Sequence, residues 1–137
     1  MKKVTGVNHI TLAVKDLDRS ILFYRDVLGL DLRKVWPGGA YLEAGSFWIC
    51  LSPDPAARDI PHPDYTHIAF SVEEDDFLPF CQQLKEFGVE IWKENRSEGA
   101  SFYFLDPDHH KMELHVGDLQ SRLRGWKVNL NVDQRSF

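Results

Sequence analysis

A chain of 137 residues with 43% apolar side chains can bury one respectable hydrophobic core and no more. Its formal charge of −5 sets aside nucleic acid and anionic membranes as main partners, and no apolar run reaches the length of a membrane span. The opening Met1-Lys2-Lys3-Val4-Thr5 has no signal-peptide apolar region, and two cysteines without metal-type spacing, Cys50 and Cys81, fit a cytoplasmic protein with reduced thiols.

The alternating, β-branched stretch at residues 6–14 predicts a first strand. A helix is expected over residues 18–28: Asp16 and Asp18 favour its start, Ile21, Phe23, Tyr24, Val27 and Leu28 form its apolar stripe, and Gly29 stops it. Three short strands follow at residues 31–35, 40–44 and 47–52, separated by the turn signals Pro37-Gly38-Gly39 and Gly45-Ser46. Four prolines mark residues 53–63 as a linker. A strand at 65–72, a helix at 75–87 closed by Gly88, and strands at 89–94, 101–105 and 111–116 then repeat the plan. Asp106-Pro107-Asp108 is the turn before the last strand. Pro79 is expected in about the first turn of its helix, where a missing N–H costs least. Beyond Gly117 the chain is polar and mixed, with one helical turn near 119–124 and an end expected to be mobile.

The two strand–helix segments are near copies. Asn8-His9-Ile10-Thr11-Leu12-Ala13-Val14 and Thr66-His67-Ile68-Ala69-Phe70-Ser71-Val72 carry their histidines 58 positions apart. Each half therefore reads βαβββ, and the expected fold class is α+β in tandem modules. A single domain is expected over residues 1–137: module one at about 5–53, a linker at 53–63, module two at about 64–118 and a tail at 119–137.

Residues two apart on a strand share a face, so His9 and Thr11 point one way, as do Lys111, Glu113 and His115. His9, His67 and Glu113 together make a donor set for a divalent ion that leaves positions open to water or substrate. The competing reading, which holds for most strand histidines, is a packed or surface side chain. His115 is a weaker ligand candidate; His62, among prolines, and His109 and His110, in the turn, are expected in solvent. The segment 92–103 gathers Lys93, Asn95, Arg96, Ser97, Glu98, Gly99 and Ser101 between two strands. It is either an ordinary polar connection or an anion or monovalent-cation loop, in which Gly99 lets the backbone approach an ion. Arg122 is either a forked donor to a phosphate-like group or a tail charge in water.

His9-Ile10-Thr11-Leu12-Ala13-Val14, the Phe23-Tyr24 and Leu28-Gly29 helix end, Tyr65-Thr66-His67-Ile68-Ala69-Phe70 and Phe104-Leu105-Asp106-Pro107-Asp108 resemble the vicinal oxygen chelate superfamily. More narrowly, the run from Trp92 to Asp108, followed by Glu113-Leu114-His115-Val116-Gly117, resembles the fosfomycin-resistance glutathione transferases. The likeness spans about residues 6–122.

The resemblance implies a glyoxalase/bleomycin-resistance fold and a domain-swapped homodimer with sites shared between subunits. It implies Mn²⁺, or another first-row divalent ion, on His9 from one subunit and His67 and Glu113 from the other. A K⁺ ion is implied at Asn95, Ser97, Glu98, Gly99 and Ser101. Fosfomycin contacts are implied at Thr11, Trp48, Lys93, Ser97, Ser101, Tyr103 and Arg122, and a thiol side at Trp36 and Tyr41. Thr11, Tyr41, Lys93 and Arg122 carry the implied catalytic roles. The implied activity is addition of the glutathione thiol to the epoxide of fosfomycin. Alternatives on the same scaffold are a transferase using cysteine or bacillithiol, an epoxide hydrolase using water, and a non-catalytic drug-binding module.

Two departures bear on this likeness. Pro37 and Gly38 stand where polar residues are expected on the thiol side. His109 replaces a glycine, at a strain cost if that turn needs positive φ. Cys50 lies near the site by the same alignment and receives no role.

Overall fold

A computed structural model describes residues 1–95 and 99–127, so Ser97 and Glu98 of the expected ion loop, and the tail from residue 128, lie outside the described residues. The α+β plan of tandem βαβββ modules is the one found. The chain divides into two compact units. Met1–His62 together with Asp106–His110 form the first, and Pro63–Leu105 with the chain from Lys111 form the second. Among the described residues no helix is long and apolar enough to cross a membrane.

In the first unit β1 (His9–Val14), β2 (Asp31–Trp36), β3 (Gly39–Ala44) and β4 (Phe47–Pro53) form a sheet of order β1-β4-β3-β2. β1 runs parallel to β4, and the other pairs are antiparallel. Period-2 alternation sends Leu12, Val14, Ala40, Leu42, Ile49 and Leu51 to the buried face. The opposite face carries His9, Thr11, Tyr41, Trp48 and Cys50 in adjacent register, His9 beside Trp48 and Thr11 beside Cys50 beside Tyr41.

The expected single α-helix is two windings. α1 (Leu17–Ile21) starts at Asp16, whose carboxylate accepts the Arg19 N–H at 3.1 Å, and a π-helix takes over at Leu22–Val27. Leu28 N–H donates to Phe23 C=O at 2.9 Å, five residues back. The wider winding keeps Phe23 and Tyr24 fully inside, edge to face at 5.3 Å, while Leu22 stays exposed. A periodicity argument cannot separate this from an α-helix, because both bury nearly the same positions.

Tyr24 is held by a turn 82 residues away. Its hydroxyl donates to Asp106 Oδ2 at 2.6 Å, while Asp106 Oδ1 accepts the backbone N–H groups of Asp108 and His110, each at 2.9 Å. Asp108, only 1% exposed, accepts from the Lys15 N–H at 3.0 Å, Arg19 Nη2 at 3.2 Å and Ser20 Oγ at 3.4 Å. Buried carboxylates persist only when their lone pairs are met in this way. His110, expected in solvent, is buried instead and donates Nε2–H to Ala13 C=O at 2.9 Å. His109 sits at φ 65, so the strain foreseen for a side chain at this glycine position is present. Burial lifts the Asp106 carboxyl above its ordinary range, against the pull of His110, Tyr24 and the two N–H donors. Burial and Asp106 hold the Tyr24 phenol well above its own, so it stays a donor.

In the second unit β5 (Ile68–Ser71), β6 (Ile91–Lys93), β7 (Ser101–Leu105) and β8 (Lys111–His115) form a sheet of order β5-β8-β7-β6. β5 lies parallel to β8, repeating the pairing of β1 with β4. α2 (Glu74–Phe87) has Glu74, Asp75 and Asp76 against its positive end and closes on Gly88 at φ 97. Pro79 is the sixth helical residue, in the second turn, where it has no N–H to give the Asp75 carbonyl. Cys81, Leu84, Phe102, Phe104, Met112 and Leu114 are buried here. α3 (Leu119–Lys127) is longer than the single turn expected, and Asp118 and Ser121 exchange side-chain and backbone hydrogen bonds at its start.

Tyr24→Phe leaves a buried carboxylate oxygen without its donor, so a loss of about 2 kcal/mol in urea unfolding at neutral pH is expected. The raised Asp106 value means that this group's contribution to stability is fully present below its ordinary range near pH ~4 and falls as pH rises through the folded value. The Tyr24 hydroxyl favours the ionised form, so the variant's deficit shrinks as acid protonates Asp106. A deficit independent of pH would contradict the assignment. His109→Gly relieves the left-handed strain at the cost of a looser unfolded chain, for a net gain of about 0.5–1 kcal/mol. An unchanged or lower urea midpoint would contradict it.

Candidate functional site

His67 immediately precedes β5, because the chain before it is turned: Thr66 N–H donates to Asp64 Oδ1 at 3.1 Å and His67 Nδ1 lies 2.8 Å from Tyr65 C=O. The expected strand at 65–72 is therefore shorter. A carbonyl only accepts, so Nδ1 carries a proton and Nε2 is the nitrogen left for a carboxylate or an ion. Nε2 faces Glu113 Oε1 at 3.0 Å. Two acceptors this close require a proton or a cation between them. A separation of about 3 Å also suits neighbouring donors each about 2.1 Å from one ion.

Glu113, 4% exposed on β8, is held from its other side: Ser101 Oγ–H on β7 donates to Oε2 at 2.7 Å. Tyr65, Trp92 and Tyr103 wall His67, with ring centroids 4.8, 5.4 and 6.0 Å away. Trp92 is fixed by its indole N–H to Met112 C=O at 3.0 Å.

Lys93, at the end of β6, hydrogen-bonds the Tyr65 hydroxyl, and its ammonium lies over the rings of Tyr65 and Tyr103 at 4.4 and 4.8 Å. The Tyr65 hydrogen bond raises the Lys93 value, so the side chain is a cation at neutral pH. Register sets Tyr103 beside Glu113 and Lys93 beside Tyr103, so one sheet face carries an ammonium, a phenol and a carboxylate in a row. In the neighbouring loop Asn95 Nδ2 donates to Gly99 C=O at 3.1 Å, and Gly99 has φ 77. Ser97 and Glu98, between them, lie outside the described residues. Arg122 is exposed on α3.

His9 lies in the first unit, where it repeats the chemistry of His67. Its Nδ1 is 2.7 Å from Asn8 Oδ1, which leaves the Nε2 lone pair as the acceptor. The ring stacks on Trp48 at 4.1 Å and 14°, and Trp48 meets Tyr41 at 5.0 Å, which in turn meets Trp36 at 4.7 Å. Thr11 is exposed on the same face.

Two expected ligands, His67 and Glu113, are thus brought together, and the third lies in the other unit. Among the described residues no group of three or more His, Cys, Asp or Glu is arranged to hold a metal ion. The residues nonetheless fit one: both histidines of the repeat are fixed with Nδ1 protonated and Nε2 available, and the carboxylate is backed by a hydroxyl donor. Sequence reasoning assigned no role to Asn8 or to the Tyr65 carbonyl, which fix the two imidazoles, and rated His115 only weakly. For His115 the signal was its position two residues from Glu113 on one strand.

The pattern of the Glyoxalase/Bleomycin resistance protein/Dioxygenase superfamily matches residues 6–114. The chain is 57% identical over 120 residues to Glutathione transferase FosA of Serratia marcescens, covering 86% of this chain and 85% of that protein. It is 43% identical over 132 residues to Metallothiol transferase FosB of Staphylococcus epidermidis, covering 91% of each. Among solved structures it is similar to the fosfomycin resistance protein FosX of Listeria monocytogenes, complexed with Mn(II) and sulfate ion. That likeness has a TM-score of 0.78 at 30% identity, over 90% of this chain and 99% of that one. The chain belongs to the Glyoxalase/Bleomycin resistance protein/Dioxygenase superfamily, on the branch that holds Glutathione transferase FosA.

Proposed function

We propose that this protein is a cytoplasmic, metal-dependent transferase that adds the glutathione thiol to the epoxide of fosfomycin. The observation that carries this reading is the 57% identity with Glutathione transferase FosA over most of both chains. The Mn(II) of the FosX structure and the metallothiol chemistry named for FosB support a divalent ion. The facing lone pairs of His67 Nε2 and Glu113 Oε1 supply donors for it. In the proposed homodimer, His9 of the partner subunit completes this pair. A K⁺ ion is proposed in the loop of Asn95, Ser97, Glu98, Gly99 and Ser101.

When bound, Mn²⁺ or a related ion supplies Lewis acidity toward the epoxide oxygen. The rest of the chemistry belongs to the side chains. Fosfomycin carries a phosphonate, and the Lys93 ammonium with the Tyr103 hydroxyl and the Arg122 fork would neutralise and orient it. Trp48 would pack against the substrate, with Ser97 and Ser101 near the anion. The Thr11 hydroxyl would donate to the oxygen released from the ring, where negative charge develops. Trp36 and Tyr41 line the proposed thiol side, and the Tyr41 hydroxyl would favour the thiolate, the species that attacks. A C–S bond forms as a C–O bond breaks, and the resulting alkoxide takes up a proton equivalent to the one the thiol shed.

Phosphorus NMR tests the reaction: purified protein, fosfomycin, Mn²⁺ and K⁺ are combined with glutathione, cysteine, bacillithiol or no thiol. A glutathione-dependent adduct is expected. A diol formed without thiol would move the protein to the hydrolases, adduct formation only with another thiol would change its donor, and no product would remove fosfomycin as substrate. Subunit sharing has its own test. Inactive His9→Ala and His67→Ala proteins, mixed under conditions of exchange, should recover activity, because one hybrid site in two is intact. No recovery, with hybrid formation verified by mass, would refute sharing.

A further inference from the structure

The second unit contains one buried side-chain nitrogen without a partner among the described residues, His115 Nε2. His115 is the last residue of β8, 9% exposed, and its other nitrogen lies 2.7 Å from Ser101 Oγ. Ser101 has one hydroxyl proton, which it gives to Glu113 Oε2 at 2.7 Å. Toward His115 the same oxygen can only accept, so Nδ1 must be the protonated nitrogen of that ring. Nδ1 is also 3.4 Å from Glu113 Oε2, too long to replace the link through Ser101.

We infer that His115 is a positioning residue for the Glu113 carboxylate, acting through a one-way chain of hydrogen bonds: His115 Nδ1–H to Ser101 Oγ, and Ser101 Oγ–H to Glu113 Oε2. The inference rests on the reading of Glu113 as a metal ligand. A carboxylate on a flexible Glu side chain rotates broadly about its last torsion. Here one oxygen is tied to a hydroxyl that is itself oriented, so the other is the one presented to His67 Nε2 at 3.0 Å.

The ring at the head of the chain is confined by backbone. A Cβ on Gly99 would lie 3.3 Å from His115 Cε1, and one on Gly117 would lie 3.4 Å from Nε2. Both glycines have positive φ, 77 and 118, so the loop before β7 and the turn after β8 close on the imidazole as only glycine allows. Strand register does the rest, setting Ser101 opposite His115 and Tyr103 opposite Glu113.

Mn²⁺ titration, read from the electron paramagnetic resonance signal of the free ion, tests this on the full-length protein, Glu113→Ala, His115→Leu and His115→Asn. The Asn amide can place an N–H near the position of Nδ1. His115→Leu is expected to weaken Mn²⁺ binding about tenfold, and His115→Asn to stay within about threefold of the parent. Unchanged affinity in His115→Leu, with binding lost in Glu113→Ala, would overturn the inference alone. Equal losses in His115→Leu and His115→Asn would do the same, since the donor would then be irrelevant. Unchanged affinity in Glu113→Ala would overturn the ligand reading and the inference with it. Should His115→Leu fail to fold, the ¹⁵N spectrum of the metal-free parent decides: a proton on His115 Nδ1 is expected, and a proton on Nε2 overturns the chain.

Discussion

The proposed metal chemistry depends on where two imidazole protons sit. Tyr65 C=O takes the Nδ1 proton of His67, and Asn8 Oδ1 takes that of His9. Each ring is left with Nε2 turned away from that partner, and in His67 it faces a carboxylate oxygen at 3.0 Å. An imidazole nitrogen and a carboxylate oxygen held this close need a proton or a cation between them, so the fold favours positive charge at this point. Geometry held this way need not reorganise when charge develops in a reaction, which is where a preorganised site gains its advantage.

Duplication explains why the two histidines match and also where they part. Both follow the same strand–helix plan, and in each unit the first strand runs parallel to the last. The two copies nevertheless satisfy Nδ1 differently, with the side chain of the preceding residue for His9 and a backbone carbonyl two residues back for His67. The neighbouring surfaces have specialised as well. Aromatic rings, Trp36, Tyr41 and Trp48, line the His9 face, while Lys93, Ser101, Tyr103 and Glu113 give the other its charge and hydroxyls.

Much of this was legible in the sequence because the signals were periodic. The repeat gave the βαβββ plan, and alternation in β8 put Glu113 and His115 on one face, which the shared bonding to Ser101 bears out. The π-helix at Leu22–Val27 was invisible, since its burial pattern differs little from that of an α-helix. His110 was misjudged because turn residues are usually wet. Here Ala13 C=O needed a donor, and the turn supplied it across a sequence separation of 97. No local pattern encodes such a pairing. His109 was the reverse case: the sequence raised the condition of a positive φ at this glycine position, and the backbone there has φ 65.

The turn at Asp106–His110 belongs to the first unit although most of the second is written before it. Tyr24, Lys15, Arg19 and Ser20 all direct donors at carboxylates that are synthesised more than 80 residues later. The first half therefore cannot finish folding as it leaves the ribosome. It must wait, with a buried phenol and its neighbours unsatisfied, until residue 110 has emerged. Long-range closure of this kind slows folding and makes it all-or-none. A gene fragment ending at the proline-rich linker would encode an incomplete core, so the two modules cannot easily be separated or recombined as independent pieces despite their common plan.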